Sequence, residues 1–358
     1  MNDPLVSIII ATLNSERTLV RTLESIKRQT LSKNKFEVIV VDGGSEDRTL
    51  PIARKYKCRI ILNTMVEPLS AKYLGFMKAK GRYLLGLDSD EAFRNNKSLE
   101  IRLGIFHSDK RVKSLHSSGY ITPAGSAPIN YYVNEFGDPF SFFIYRLTKD
   151  YRFFTETLKR RYKVVFENDD YFLVKTSPRS GRGPLMEILA AAGMVDKNFV
   201  RMKFKKLVPV KELILPHLHL HLLSVNPYIA VLKKDPLYHY SAENFKKYLY
   251  KLEWRVKNNI YFGGTIGSAG FLKREEFEGN INRAKKFFFI PYSLSLIFPL
   301  IDALWLCLTR RNTAYLIHVP LSVITSLFII YHSLRKVLGF YPVLTSYGGS
   351  NKILKRWR

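Results

Sequence analysis

Asp88 and Asp90 are the residues of this 358-residue chain best placed to do chemistry, spaced i, i+2 at the end of Gly81-Arg-Tyr-Leu-Leu-Gly-Leu-Asp-Ser-Asp90. The run before them is nearly all apolar and reads as a strand buried on both faces of a parallel sheet. Period-2 geometry puts both carboxylates on one side of the chain at the carboxyl end of that strand. Open α/β sheets bind their ligands at that edge. Converging carboxylates repel each other unless a cation or donor stands between them, and hard divalent cations take such oxygen ligands. The same residues are good helix caps. Read alone, Asp88-Ser89-Asp90 is either a cation site or a solvated turn.

The elements that must position these carboxylates alternate in type from residue 5 to residue 90. Residues 5–12 are a β-rich run, and Asn14 and Ser15 then cap a helix to about residue 29. Residues 36–41 form a second buried strand closed by Asp42-Gly43-Gly44. Ser45 follows as an expected N-cap, with Glu46 and Asp47 in the first turn, where the helix dipole favours negative charge. Arg59–Leu62 is a short third strand, and Pro68 opens a helix to about residue 80. This alternation implies right-handed βαβ units around a parallel sheet. Three strand ends then share one edge: Ala11-Thr12-Leu13-Asn14, Asp42-Gly43-Gly44-Ser45 and Asp88-Ser89-Asp90. Small polar residues there admit a flat polar ligand, and glycines let its backbone approach. No Gly-x-Gly-x-x-Gly follows the first strand and no Walker A sequence occurs, so dinucleotide and P-loop sites lose their main support.

Composition narrows the partners. A formal charge of +27 on a chain that is 46% hydrophobic predicts anionic partners: phosphates, nucleic acid or an acidic membrane surface. With no zinc-knuckle spacing, RNP-like run or basic heptad, nucleic acid is not expected. Cys58 and Cys307 lie far apart in apolar contexts and read as packed thiols without a disulfide framework. The apolar run at 5–13 has no basic region before it and no cleavage pattern after it, so it reads as a strand and not as a signal peptide.

Val6-Ser-Ile-Ile-Ile-Ala-Thr-Leu-Asn14, Glu37-Val-Ile-Val-Val-Asp-Gly-Gly-Ser45 and Leu84-Leu-Gly-Leu-Asp-Ser-Asp90 resemble, in order and spacing, the nucleotide-sugar half of family 2 glycosyltransferases. The resemblance covers about residues 5–92. It implies an α/β GT-A fold, Rossmann-like, with a mainly parallel sheet flanked by helices. It also implies an inverting mechanism, a nucleotide-diphosphate sugar donor and a bound Mg²⁺ or Mn²⁺. Carried over residue by residue, Ala11, Thr12, Asn14, Gly43 and Ser89 border the nucleotide sugar. Asp42 reads the base, Asp88 contacts the ribose or the metal, and Asp90 ligates the metal. Where the family shows Ala-Arg-Asn-x-x-Gly, this chain has Ala71-Lys72-Tyr73-Leu74-Gly75, so Lys72 is left to meet a phosphate as a point charge without the guanidinium fork. Pro236-Leu-Tyr-His239 fits the later apolar-Tyr-His signature, and there His239 completes the metal's coordination or serves as a structural histidine.

An inverting transfer needs a second carboxylate to take the acceptor's proton. Asp169, Asp170, Glu187, Asp196 and Glu212 are the candidates. Glu212 lies a suitable step before His239, and the rival pair Asp169-Asp170 precedes a strand-like stretch at 171–175. Residues 112–122 look like one strand, with a Pro/Gly/Ser loop after it. His217, His219 and His221 are either packed side chains or a metal-binding face. The glycines at 263–270 follow a helix-like segment, which favours a joint over a phosphate cradle.

Toward the carboxyl terminus, residues 287–308 and 314–331 are apolar stretches interrupted by Pro291, Pro299, Asp302 and Pro320. They form a C-terminal hydrophobic helical hairpin that spans a bilayer, lies in one leaflet or packs on the domain. Basic clusters on either side favour an anionic membrane surface. The expected organisation is a nucleotide-sugar half (1–92), an acceptor half (93–262), a basic linker (263–286) and a membrane-associated tail (287–358). The expected activity is sugar transfer from a UDP- or GDP-sugar to a lipid-linked or surface-glycan acceptor, at the cytoplasmic face of the cell membrane. The competing functions are a nucleotide-sugar-binding scaffold without chemistry and a sugar nucleotidyltransferase.

Overall fold

The structure is a computed structural model that describes residues 3–64, 68–176, 192–204, 222–223, 225–241, 244–262, 279–343 and 345. Glu187, Glu212, the three histidines at 217–221, the glycines at 263–270 and residues 346–358 lie outside the described residues. In chain order the elements begin β1 (Val6–Thr12), α1 (Glu16–Lys27), β2 (Phe36–Asp42), α2 (Thr49–Lys55), β3 (Arg59–Leu62), α3 (Pro68–Lys78) and β4 (Tyr83–Asp88). There follow β5 (Glu91–Phe93), α4 (Ser98–Ser108), β6 (Ser114–His116), β7 (Tyr120–Ile121), α5 (Pro128–Phe136), α6 (Pro139–Tyr145) and α7 (Tyr151–Arg161). Next are β8 (Lys163–Glu167), β9 (Tyr171–Lys175), β10 (Met194–Asp196), α8 (Lys197–Lys203), β11 (Tyr228–Leu232) and β12 (Leu237–His239). The remaining helices are α9 (Phe245–Phe262), α10 (Asn280–Lys285), α11 (Phe289–Leu294), α12 (Ile297–Arg310) and α13 (His318–Val337).

Two compact units divide these elements. The first holds Met1–Ile121, Tyr151–Pro178 and Pro184–Tyr240, and the second holds Thr122–Asp150, Arg179–Gly183 and Ser241–Arg358.

The first unit is a mixed α/β layer structure. Its large sheet runs β3-β2-β1-β4-β10-β6-β11-β9-β8, and a small sheet runs β5-β12-β7. β1, β2, β3 and β4 are mutually parallel, and β10 enters antiparallel to β4. Val6, Ile8 and Ile10 on one face of β1, together with Leu85 and Leu87 of β4, build one core with α1 and α4. Ile9, Ile39 and Leu84 on the other face build a second core with α3. Burial on both faces explains why these strands read as continuous apolar runs. Gly75 lets α3 lie directly on β1, because a Cβ there would come within 2.3 Å of Ile9 Cγ2.

Two expectations about local structure are corrected. Ser45 caps no helix: its hydroxyl goes back to Asp42, and α2 begins later, after Arg48. The single strand expected at 112–122 is two, β6 and β7, parted at Ser117-Ser118-Gly119, where Gly119 has φ +97°.

The second unit is helical. Ile129, Tyr132 and Phe136 of α5 pack with Tyr248 and Leu252 of α9, Leu306 of α12 and Leu321 of α13. The apolar stretch at 287–308 is not one helix. α11 and α12 meet at 91° across Ser295-Leu296, where Leu296 has φ +58°. Pro291, Pro299 and Pro320 each fall in the first turn of α11, α12 or α13. A missing N–H costs nothing at that position.

Candidate active site at the carboxyl edge of the parallel strands

The first two strand ends are laced together by short polar side chains. Asp42 is fully buried, and both of its carboxylate oxygens are engaged. Oδ1 accepts from the Thr12 hydroxyl (2.9 Å) and the Ser45 hydroxyl (2.5 Å), and Oδ2 accepts from the N–H groups of Gly44 (2.9 Å) and Ser45 (2.8 Å). Gly44 takes φ +93°, which lets the chain fold back over the carboxylate. The expectation that Asp42 reads a nucleobase is therefore not what its geometry supports, since its acceptors are spent on building the loop. Asn14, at φ +49°, ties the first loop to the second: its N–H donates to Ser45 Oγ (2.9 Å) and its Oδ1 accepts from Glu46 N–H (2.9 Å). Ala11 and Gly43 sit in the same edge, with Ala11 opposite both Val41 and Asp88 and Gly43 N–H donating to Thr12 O (2.9 Å).

The third strand end joins them through Ser89, whose hydroxyl bonds Ser15 Oγ (3.0 Å) and whose carbonyl accepts from Thr22 Oγ1 (3.0 Å). Asp88 and Asp90 face different partners. Lys72 on α3 sets its ammonium 2.8 Å from Asp88 Oδ1, and the Asp88 charge raises the Lys72 pKa. The lysine expected to meet a phosphate thus already holds a carboxylate. On the other side, β12 pairs antiparallel with β5, which sets His239 opposite Glu91. Tyr240 N–H then donates to Asp90 O (2.8 Å), and His239 Nε2 stands 3.7 Å from Asp90 Oδ2.

Behind the pair lies Glu91, whose importance is not visible in the sequence motifs. It is fully buried. Its Oε2 accepts from Asp88 N–H (3.0 Å) and its Oε1 from the Tyr120 hydroxyl (2.5 Å). Burial, and then the neighbouring Asp88, push its pKa up to about 7. Tyr120 also packs its ring 4.6 Å from the His239 ring. Glu91 and Tyr120 therefore fix both the turn that presents Asp88 and the imidazole that faces Asp90. The one available signal was the third acidic residue in Asp88-Ser-Asp-Glu91, entering an otherwise apolar short strand.

A divalent ion fits this arrangement as a shared ligand. Among the described residues no group of three or more His, Cys, Asp or Glu is set to hold a metal. Asp90 and His239 alone suffice to begin one, because two bonds of about 2.1 Å reach across at most about 4.2 Å and Mg²⁺-type ions are completed by water and substrate phosphate. Among the described residues, the carboxylates expected as base are not brought here. Asp169 and Asp170 sit exposed in the β8–β9 turn, four strand spacings or about 19 Å along the sheet from β4. Asp196 is spent as the N-cap of α8 and as the partner of Arg82 (3.0 Å).

Comparison with known proteins agrees with this edge. Residues 7–115 match the family model described as Glycosyl transferase family 2, so that segment is similar to that family. Poly(ribitol-phosphate) beta-N-acetylglucosaminyltransferase TarS of Staphylococcus aureus is 35% identical over 91 residues, 24% of this chain and 16% of TarS. Poly(ribitol-phosphate) beta-glucosyltransferase of Bacillus spizizenii is 33% identical over 93 residues, 24% of this chain and 15% of the relative. The match thus spans about a sixth of the length of those relatives. Among solved structures, S. aureus TarS 1–349 in complex with UDP superposes with a TM-score of 0.44 at 16% identity, over 94% of this chain and 92% of that one.

Proposed function

We propose that this protein is a membrane-associated, inverting glycosyltransferase that moves a sugar from a UDP- or GDP-sugar to a lipid-linked or surface-glycan acceptor. One observation carries the reading: Asp90, inside the segment that matches family 2, faces His239 beside two laced strand ends, while Asp88 next to it is held by Lys72. Asp90 and His239 hold a divalent ion, which neutralises charge growing on the diphosphate leaving group. Lys72 adds a positive charge beside Asp88 and is placed to trade that carboxylate for a phosphate oxygen. Ala11, Thr12, Asn14, Gly43 and Ser89 wall the nucleotide site, and Asp42 keeps that wall rigid. Two relatives named for transfer to poly(ribitol-phosphate) favour a phosphate-rich acceptor, and a net charge of +27 suits one. Basic residues around the C-terminal helices favour the cytoplasmic leaflet, where anionic lipids concentrate.

Of the carboxylates expected as base, Asp169 and Asp170 fall away on distance and Asp196 on its bonding, which leaves Glu187 and Glu212 among them. The test is release of free UDP or GDP from a panel of nucleotide sugars, with and without Mn²⁺. Turnover that persists in an Asp88→Asn/Asp90→Asn variant refutes the site. Loss of donor turnover in Glu212→Gln, with UDP binding intact, assigns the base.

A further inference from the structure

Within the second unit, α12 carries an apolar face that faces away from the unit's own core. Ile297, Ile301, Leu304, Trp305 and Leu308 recur at helical spacing on one side, and Ile297 and Leu308 are 65% and 79% exposed. Pro299, Ala303 and Leu306, on the other side, are buried. Phe287 and Phe288, just before α11, are 83% and 63% exposed. Exposed apolar surface of this extent marks an interaction site.

Length decides what α12 can do in a bilayer. Its 14 residues extend about 21 Å, short of the ~30 Å hydrocarbon core. The bend of 91° before it prevents α11 and α12 from crossing as one rod. Thr313–Val337 is long and apolar enough to cross. Yet the polar groups of α13 are committed to protein. His318 Nδ1 bonds the Tyr132 hydroxyl (2.6 Å), His318 Nε2 bonds the Tyr292 hydroxyl (2.8 Å), and His332 Nε2 stands 3.4 Å from Glu253 of α9. Crossing would draw α9, with Lys251, Glu253, Arg255 and Lys257, toward hydrocarbon, at roughly 2.5–3.5 kcal/mol per central charge.

Charge says what covers the face. Residues 280–343 contain seven Lys or Arg and one acid, Asp302, which is already held by Arg146 (2.6 Å) and Tyr292 (2.5 Å). Arg335 lies 5.5 Å over the Tyr331 ring and 5.4 Å over the Phe340 ring. Such basic–aromatic pairs suit the headgroup level of a membrane.

The geometry points to α12 as an in-plane membrane helix, its apolar face seated in the outer acyl layer of one anionic leaflet while α13 stays packed on the protein through His318, Leu321 and His332. This refines the membrane part of the proposed function and is independent of the transfer reaction.

The full chain is mixed with phosphatidylcholine vesicles with and without phosphatidylglycerol, and binding is read by flotation. Binding is expected to the anionic vesicles and to weaken with salt. Ile301→Glu/Leu308→Glu changes only exposed residues and is expected to lower partitioning about tenfold or more, with UDP release from the donor unchanged. Depth is read in a chain whose Trp254, Trp305 and Trp357 are Phe. Single probes Ile297→Trp, Ile301→Trp and Leu308→Trp are quenched by lipids brominated near the headgroup or near the chain end. Equal, shallow quenching at all three is the expected result. A gradient with position 301 deepest means a spanning helix and overturns the inference. Absence of vesicle binding also overturns it, and self-association that the double variant abolishes then assigns the face to a second copy.

Discussion

Glu91 in the first unit and Glu135 in the second are both buried glutamates, and each accepts a hydrogen bond from a tyrosine hydroxyl. Burial raises the pKa of each. Their remaining partners differ. Glu135 is bridged by Arg310 (2.8 Å) and receives the Thr148 hydroxyl (2.7 Å), so its charge is cancelled on the spot and α5 is fastened to α12. Glu91 is joined to no Lys or Arg in the described ion pairs, and it stands behind two further carboxylates. A buried acid with its own cation belongs to a frame. One joined to no cation of its own, behind Asp88 with its Lys72 and Asp90 with its His239, marks a place built to handle charge.

Substitutions can break this contrast, and the largest effect should fall on chemistry. Asp90→Asn should lower sugar transfer at least ~10²-fold, because even residues that only support a metal ligand cost 10–100-fold. Its unfolding free energy by urea denaturation should stay within about 1 kcal/mol of the parent, as for a half-buried carboxylate outside the core. Next comes the frame: Glu135→Ala strands Arg310 in the interior and should cost about 3–5 kcal/mol of stability by urea denaturation. Glu91→Ala removes an acceptor from Asp88 N–H and Tyr120 and should cost less, about 1–3 kcal/mol. The smallest effect sharpens the contrast most. Glu91→Gln can keep its one oxygen as acceptor for Asp88 N–H while its NH2 donates to a rotated Tyr120 hydroxyl, and should change stability by under about 1 kcal/mol, whereas Glu135→Gln should not be tolerated so well. Equal costs for the two Gln variants would erase the distinction between site and frame.

The nucleotide half was legible because its information is local. Strands buried on both faces give unbroken apolar runs, and each run ends in the polar residues that its own loop needs. Thr12, Asn14, Ser45 and Asp88 could be placed at one edge from order alone. What could not be read was how those polar groups are spent, since Asp42 and Ser45 bond each other and Lys72 bonds Asp88 across α3 and β4. Asp169 and Asp170 misled for a related reason: a turn before a strand carries no sign of which strand in the sheet it borders. The helical unit was less legible still. Arg146 meets Asp302 and Glu135 meets Arg310 across 156 and 175 residues of sequence, and no spacing rule reaches that far. The break at Ser295-Leu296 follows from Pro299 only once α12 is known to start there.

The account rests on Asp90 and His239 being two ligands of an ion that a nucleotide diphosphate completes. Mn²⁺ binding, followed by electron paramagnetic resonance with and without UDP, tests it most directly. The expected result is weak binding of Mn²⁺ alone, at least ~10-fold tighter binding with UDP present, and loss of that gain in Asp90→Asn and in His239→Ala. An unchanged gain in both variants would contradict the account.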